Sequence, residues 1–403
     1  MTASQGIAIQ VKRVKQSGLG VPGSTGSQLM RRVTLSANKQ NDTYSSNEIV
    51  SHQQSTGATQ GPGRVAGTLN AELSPGSNSL EFAALLRRDF TAFTALTAVS
   101  LTIAGTGPTY TVTRASGSFL TDLVKRGYVL RLSVGTLNAA NISKNLLVIS
   151  ATATVLTVVP LNGVALVAEG PITGCTISAP GKVDWVPTTG HTNDYYSWEK
   201  WFADNSFSEL FTDVKPASAD VTLPATGIPT VNFDLPGLAR TLGTAEVLTS
   251  PTAASTTNVV TAVQGKVVIN GVVTAVTNIQ FKIDGATTTG DAEVGSNSLS
   301  DLQRGKVSAS GSFSAKFTSQ VLQTLRENQT LVTLIAGAAD SALAAADFVI
   351  ACFPTIKIFT DDADDGEKAI VRTYNWTAQY NGAGGAGTDT NQTIVQMHDS
   401  QAA

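Results

Sequence analysis

The chain has 403 residues, a formal net charge of −3, and charged side chains at only 14% of its positions. This balance excludes a general electrostatic attraction to nucleic acid, and no apolar run is long enough to span a membrane. The length predicts two to three domains, and a composition dominated by small and β-branched residues predicts a mainly β protein. The low charge further suggests a surface that other subunits cover.

Residues 1–40 are predicted to form an N-terminal arm. The Gly/Ser-rich stretch GLGVPGSTGS lies in its middle and predicts a flexible segment. The start has no apolar core of signal-peptide length, so we expect a chain that is made in the cytoplasm. The first 34 residues contain no acidic side chain, and their basic residues are Lys12, Arg13, Lys15, Arg31 and Arg32.

A first β domain is predicted over residues 41–93 and 187–237. From Gly63 onward, polar and apolar residues alternate, as in a half-buried strand. Thr68, Asn70 and Glu72 form the polar face of this strand. A short amphipathic helix follows, with Asn78 and Glu81 in a capping-box arrangement.

An inserted small β domain is predicted over residues 94–186, inside the first domain. Short β-type runs such as TYTVTR, NLLVISA and TVLTVVP follow one another there. Several short strands at this spacing predict a small barrel or sandwich.

A second domain, residues 238–383, repeats the order of the first. GKVSASGSFSAKF after Gly305 matches GRVAGTLNAEL after Gly63, and in both cases a helix ending in Leu-Arg follows. The polar face of this second strand consists of Ser308, Ser310, Ser312 and Ser314. A flexible C-terminal tail is predicted over residues 384–403.

No catalytic constellation is present in the sequence. The three histidines are far apart, and no metal-protease, phosphate-loop, serine-hydrolase or CxxC motif occurs. We therefore expect neither an enzyme nor a cofactor. The aromatic run YYSWEKWF at 195–202 is interpreted as a strand with aromatic cross-strand packing, with a sugar-binding platform as the alternative.

The run FTDDADDGEK concentrates negative charge near the C-terminal end of the second domain. It fits the spacing of a calcium loop only in part. The remaining interpretations are a solvated turn, a contact with basic residues of a neighbouring subunit, and a lining of negative charge along a channel. The residues concerned are Asp361, Asp362, Asp364, Asp365 and Glu367.

Taken together, these stretches resemble the major tail tube proteins of long, non-contractile-tailed bacteriophages. The matching segments include NEIVSHQQSTG, GRVAGTLNAELSPG, HTNDYYSWEKWFAD, RGKVSASGSFSAKF and DDGEKAIVRTY. The resemblance implies two tandem tail-tube-type β-sandwich or barrel domains, each with one flanking helix. The inserted β-barrel is then similar to decorating domains that some tail tubes carry.

The resemblance also implies a function in the virion tail. Such proteins form stacked rings around a channel through which genome DNA passes without specific binding, and they meet a tape measure protein and a tail terminator. A chain with two tube domains would close a ring as a homotrimer with pseudo-sixfold symmetry, whereas a homohexamer is the alternative. The basic arm and the loops 53–63 and 285–300 would brace neighbouring rings, and the basic residues of the arm would contact neighbouring subunits. The rival function is a phage fibre or adhesin that binds a cell-surface carbohydrate.

Overall fold

The computed structural model describes residues 4–364, 367 and 369–402, and in this part it is mainly β with two short α-helices. Before the inserted domain the chain forms six strands and one helix. They are β1 (Ile9–Lys15), β2 (Gln28–Leu29), β3 (Thr34–Leu35), β4 (Asn38–Ser45), β5 (Ala58–Ala66), β6 (Thr68–Glu72) and α1 (Ser79–Leu86).

The inserted domain is a closed six-stranded barrel, as the sequence predicts. Its strands are β7 (Leu96–Ala104), β8 (Tyr110–Arg114), β9 (Val129–Ser133), β10 (Leu146–Ala151), β11 (Val155–Pro160) and β12 (Glu169–Ser178). The barrel has its own core, in which Phe119, Val124 and Ile177 are fully buried. The chain leaves it through β13 (Lys182–Trp185).

At the base of the barrel, Thr91 and Val183 exchange two backbone hydrogen bonds of 2.8 and 2.9 Å. Entry and exit of the insertion are therefore adjacent. This is the geometry of a domain inserted into a loop of another domain.

The remaining strands fall into two groups. The first group is β14 (Tyr196–Phe202), β15 (Phe207–Val214), β16 (Ser218–Pro224), β17 (Thr230–Asp234) and β18 (Ala239–Gly243). The second group is β19 (Gly265–Ile269), β20 (Val272–Val273), β21 (Val276–Asp284), β22 (Thr287–Thr289), β23 (Leu302–Arg304), β24 (Ser308–Lys316), α2 (Val321–Glu327), β25 (Val332–Ala339), β26 (Phe348–Ile358), β27 (Asp362–Ala363), β28 (Val371–Ala378) and β29 (Gln396–Asp399).

The same pairing scheme occurs twice in the chain. In the first repeat β1 pairs with β2 and β14, β14 with β15, and β15 with β18. In the second repeat β19 pairs with β20 and β25, β25 with β26, and β26 with β29. Both schemes carry a register irregularity at the same place, between Tyr196 and Trp198 and between Val332 and Leu334.

The second half of the scheme is repeated as well. β6 pairs with β3 and β17, and β17 pairs with β16, while β24 pairs with β21 and β28, and β28 pairs with β27. A separate hairpin accompanies each set, β4 with β5 and β22 with β23. The tandem repeat expected from the sequence is therefore present in the strand topology.

An antiparallel strand pair joins the two repeats. β16 pairs with β21 over seven residues, from Ser218 opposite Asp284 to Pro224 opposite Asn278. The strands β27, β28, β24, β21, β16, β17, β6 and β3 consequently follow one another in a continuous sheet. One cluster of buried side chains, including Phe82, Phe233 and Phe353, lies beneath this sheet.

The structure differs from the predicted flexible arm. β1 lies between β14 and β2 in a five-stranded sheet, and Val11 is 1% exposed. The Gly/Ser-rich stretch suggested a flexible segment. Acidic side chains of other segments pair with the three basic residues of β1, and these pairs are Lys12–Glu246, Arg13–Glu81 and Lys15–Asp194.

The predicted flexible tail is also wrong for its last strand. All four residues of β29 are buried, and the strand pairs with both β26 and β13. The apolar side chains of Val395 and Met397 explain this, because they join the common core.

The two helices are buried to different extents. Six of the eight residues of α1 are buried, whereas α2 has no buried residue and Val321 is 61% exposed. The expected side-chain cap at Asn78 is absent, and the Glu81 carboxylate instead pairs with Arg13.

Candidate assembly surface

The polar residues predicted on the two matching strands lie on one face of the continuous sheet. Alternation places them there, since Leu69 and Ala71 point into the core between the polar positions of β6, as Ala309 and Phe313 do in β24. On β6 these positions are Thr68, Asn70 and Glu72, and on β24 they are Ser308, Ser310, Ser312 and Ser314.

The strand register aligns these residues in rows across the sheet. One row runs from Thr68 through Asp234, Ser218 and Asp284 to Ser308. The next row runs from Asn70 through Asn232, Asp220 and Lys282 to Ser310, and a third links Glu72 with Ser312. The two repeats therefore contribute to a single surface, which we call the polar face.

Carboxylates set the electrostatics of the polar face. Its strands carry Glu72, Asp220, Asp234 and Asp284 against Lys282 and Lys316. Burial is the main cause that raises the pKa of Asp220 and of Asp234. A shallow cavity of about 400 Å³, beside Asp220, Lys282 and Ser310, marks the middle of this face.

The sequence interpretation missed the aspartates of β16, β17 and β21. Their signal was available, since SADVTLP and TNIQFKID alternate in the same way as the strands that were identified.

The acidic run lies at the edge of the second repeat. Asp361 forms ion pairs with Arg326 at 3.0 Å and with Arg372 at 2.8 Å. Asp362 is exposed on β27, and the backbone N–H of Asp364 donates to Val371. Glu367 is exposed, while Asp365 lies outside the described residues.

Two basic residues predicted to contact neighbouring subunits are buried inside the chain. Lys12 pairs with Glu246 and lies 3.9 Å from Glu199, and Arg13 pairs with Glu81. Desolvation raises the pKa of Glu81 more than Arg13 lowers it. These residues stabilise the fold and are not available to a neighbour, which corrects the expectation for them.

The other basic residues also have partners within the chain. Lys15 lies on the surface, 2.9 Å from Asp194. Arg31 donates to Ser74 at 2.9 Å, and Arg32 donates to the carbonyl of Ile9 at 2.8 Å. Arg32 and Arg31 lie two and three residues before β3, and so near an edge of the sheet.

The outer edges of β3 and β27 are open within the described residues, whereas β28 also pairs with β26 from Ile356 to Ile358. β3 pairs only with β6, and β27 pairs only with β28, within the part of the chain that the structure describes. Thr34 and Asp362 are exposed on these edges. Open strand edges present unpaired N–H and C=O groups and are sites of strand addition.

The aromatic run consists of Tyr195 and β14. Tyr195, Tyr196 and Trp198 are buried, and the last two rings of the run are half-buried. Trp198 is 1% and Tyr196 2% exposed, so neither ring is available as a sugar-binding platform. Within the described residues, no cluster of histidine, cysteine, aspartate and glutamate has the geometry of a metal site. Neither helix of that same part is long and apolar enough to cross a membrane.

The fold and this surface define a mainly β protein whose edge strands β3 and β27 each pair on one side within the described residues. The chain matches the phage tail tube protein family over residues 6–378, and it belongs to that family. It is therefore a structural component of a phage tail, and the family assembles into a tube. No curated protein matches the chain.

Proposed function

We propose that this chain is the major tail tube subunit of a phage with a long, non-contractile tail, and that it polymerises as stacked rings around the genome channel. The repeated strand pairing within the chain is the observation that carries this proposal. Each repeat would occupy one of six positions in a ring, so that three copies close it with pseudo-sixfold symmetry. A homohexamer with one repeat at the channel is the alternative.

The polar face is proposed to line the channel. Its hydroxyl, amide and carboxylate groups stay hydrated and repel phosphate, whereas roughly six to ten phosphate contacts already make binding strong and salt-dependent. DNA would thus slide past Glu72, Asp220 and Asp284 without being held. In this arrangement the inserted barrel lies outside as a decoration, because it packs on the opposite layer, against Ile335 and Ile350.

The domain arrangement follows from the same proposal. Two tube domains share the chain and the inserted barrel interrupts the first. The subunit, made in the host cytoplasm, would join the virion tail together with a tape measure protein and a tail terminator, and no cofactor is required. The family membership does not favour the fibre or adhesin alternative.

Electron microscopy and mass measurement test the assembly. The purified chain should give rings or hollow rods, and the mass of one ring should correspond to three copies. Six copies per ring would support the homohexamer, and a persistent monomer under all assembly conditions would contradict the proposal.

The channel assignment has its own test. Glu72→Lys, Asp220→Lys and Asp284→Lys together should leave tubes intact but make them retain DNA at low salt and release it at high salt. Thr154→Lys, at an exposed turn of the inserted barrel, is the matched control and should not retain DNA. Equal retention by both variants would place the polar face away from the channel.

A further inference from the structure

We propose that the contact between the two repeats inside the chain is repeated between chains, with β27 of one copy pairing antiparallel with β3 of the next. This inference rests on the self-assembly proposed above and specifies its register. Within the chain, β16 of the first repeat pairs with β21 of the second. β27 and β3 hold the corresponding places in the pairing scheme, and both have open outer edges.

The correspondence between the repeats is fixed residue by residue. Aligning Gly63 with Gly305 brings Ala71 onto Phe313, both buried. The pairing partners then align too, since Phe233 corresponds to Trp376, and both are buried.

Extending this alignment to the edge strands β3 and β27 identifies the residues of β21 and β16 that correspond to them. Thr34 lies opposite Asn70 and corresponds to Gln280, which lies opposite Ser312. Asp362 lies opposite Thr373 and corresponds to Thr222, which lies opposite Thr230.

The register between chains follows directly. Because Thr222 lies opposite Gln280 inside the chain, Asp362 should lie opposite Thr34 of the next copy. Both side chains are then on the polar face, as their counterparts are. Two residues further along, Pro224 corresponds to Asp364 and Asn278 corresponds to Arg32. Because Pro224 lies opposite Asn278 inside the chain, Asp364 should lie opposite Arg32 of the next copy. The acidic run thus meets a basic segment of a neighbour.

A second contact supports the same arrangement. Inside the chain the β22–β23 hairpin packs against the first repeat. Arg87 at the end of α1 donates to the carbonyls of Gly285 and Gly305, which flank this hairpin, at 2.9 and 2.7 Å. Leu299 and Leu302 of this hairpin segment pack with Leu238 of the first repeat.

Within the described residues, the corresponding surfaces of α2 and of the β4–β5 hairpin are exposed. α2, the counterpart of α1, exposes Val321, and Leu331 beside it is 50% exposed. The β4–β5 hairpin, the counterpart of β22–β23, is mostly exposed along β4. A second copy of this chain supplies both missing surfaces at once, with its β4–β5 hairpin against α2 and its β3 against β27.

Cysteine pairs test the register in assembled protein. Residues directly opposite on antiparallel strands have Cβ atoms about 4.5–5.5 Å apart, while diagonal neighbours are about 7–8 Å apart. We mix a Thr34→Cys chain with an Asp362→Cys chain, assemble tubes, and oxidise them. The expected product is a covalent dimer of the two chains. The native Cys175 and Cys352 are buried and remain as background.

Two further mixtures serve as controls. Thr34→Cys with Asp364→Cys is shifted by two residues on the same face and should cross-link at least about tenfold more slowly, whereas Arg32→Cys with Asp364→Cys should cross-link readily. If tubes form normally but the shifted pair cross-links fastest, the inference is overturned and the tube function stands. The same holds if tubes form normally and no pair cross-links. Chains that never form rings or tubes overturn the proposed function itself, and with it this inference.

Discussion

Arg13 and Glu81 form an ion pair between β1 and α1 in which each side chain is about 1% exposed. Removing one partner of such a pair leaves the other charge buried and unpaired, which costs about 3–5 kcal/mol. We expect Arg13→Met to lower the free energy of unfolding by this amount in urea denaturation. The pair of Lys15 with Asp194, in which the Lys15 side chain is 40% exposed, provides the control, and Lys15→Met should change stability by less than about 1 kcal/mol.

The double variant Arg13→Met/Glu81→Met distinguishes the charge from the packing. It should recover most of the loss, because no unpaired carboxylate remains in the core. A double variant as unstable as Arg13→Met alone would show that packing, and not the charge, dominates at this site.

We expect His398 to make the fold sensitive to acid. Its Nδ1 accepts from the N–H of Val129 at 3.0 Å, and its Nε2 lies 2.8 Å from the carbonyl of Pro180. Burial lowers the pKa of His398 to about 4. Below its ordinary pKa of 6.5 the unfolded chain binds the proton more readily than the folded chain, so this residue's contribution is present above pH 6.5 and is lost as the pH falls towards 4.

The expected loss from His398 is at most about 3 kcal/mol across this pH window. His398→Gln keeps a donor and an acceptor but does not titrate, so its unfolding free energy should fall less between pH 6.5 and 4. Parallel pH profiles for the two proteins, measured by urea denaturation, would assign the acid sensitivity to other groups.

At the scale of elements, β1 belongs to the core and the segment before it does not. Ile7 is 94% exposed, whereas Val11 and the rest of the middle of β1 are buried between β14 and β2. Deleting residues 1–8 should therefore leave the thermal midpoint nearly unchanged. Deleting residues 1–15 should prevent folding, and not merely assembly, because it removes a central strand.

Circular dichroism and the yield of soluble protein measure both truncations. A folded protein that lacks residues 1–15 would restore the interpretation of this segment as an arm. Loss of tubes in the shorter truncation, with the fold retained, would assign an assembly role to residues 1–8 alone.

The sequence predicted the strands in which polar and apolar residues alternate. It did not predict the segments whose ordered structure depends on residues far away in the sequence. Alternation located the strand at Thr68 and its counterpart at Ser308, and the clustered short strands predicted the inserted barrel. Charge alone misplaced Lys12, because Glu199 and Glu246, which surround it, lie far away in sequence. The short edge strand β27 was hidden within an acidic run whose composition indicates a turn.

At the scale of the whole molecule, the two repeats differ in what covers their outer layer. In the first repeat Lys12 lies opposite Glu199, and in the second repeat Val268 lies opposite Ile335 at the corresponding positions. The apolar pair of the second repeat is buried, in one cluster with Val129 of the inserted barrel. The inserted domain is thus matched to an apolar surface that the first repeat does not have.

This difference predicts how the inserted barrel can be removed. Because Thr91 and Val183 are hydrogen-bonded to each other, residues 92–182 can be replaced by an Asn-Gly turn, which suits a tight antiparallel connection. The shortened chain should aggregate, since Val268 and Ile335 become exposed.

Adding Val268→Lys and Ile335→Glu, which copies the first repeat, should restore solubility through an opposite-charge cross-strand pair. Electron microscopy of this variant should show tubes narrower on the outside but with an unchanged channel. A soluble variant that forms no tubes would instead make the barrel part of the contact between subunits.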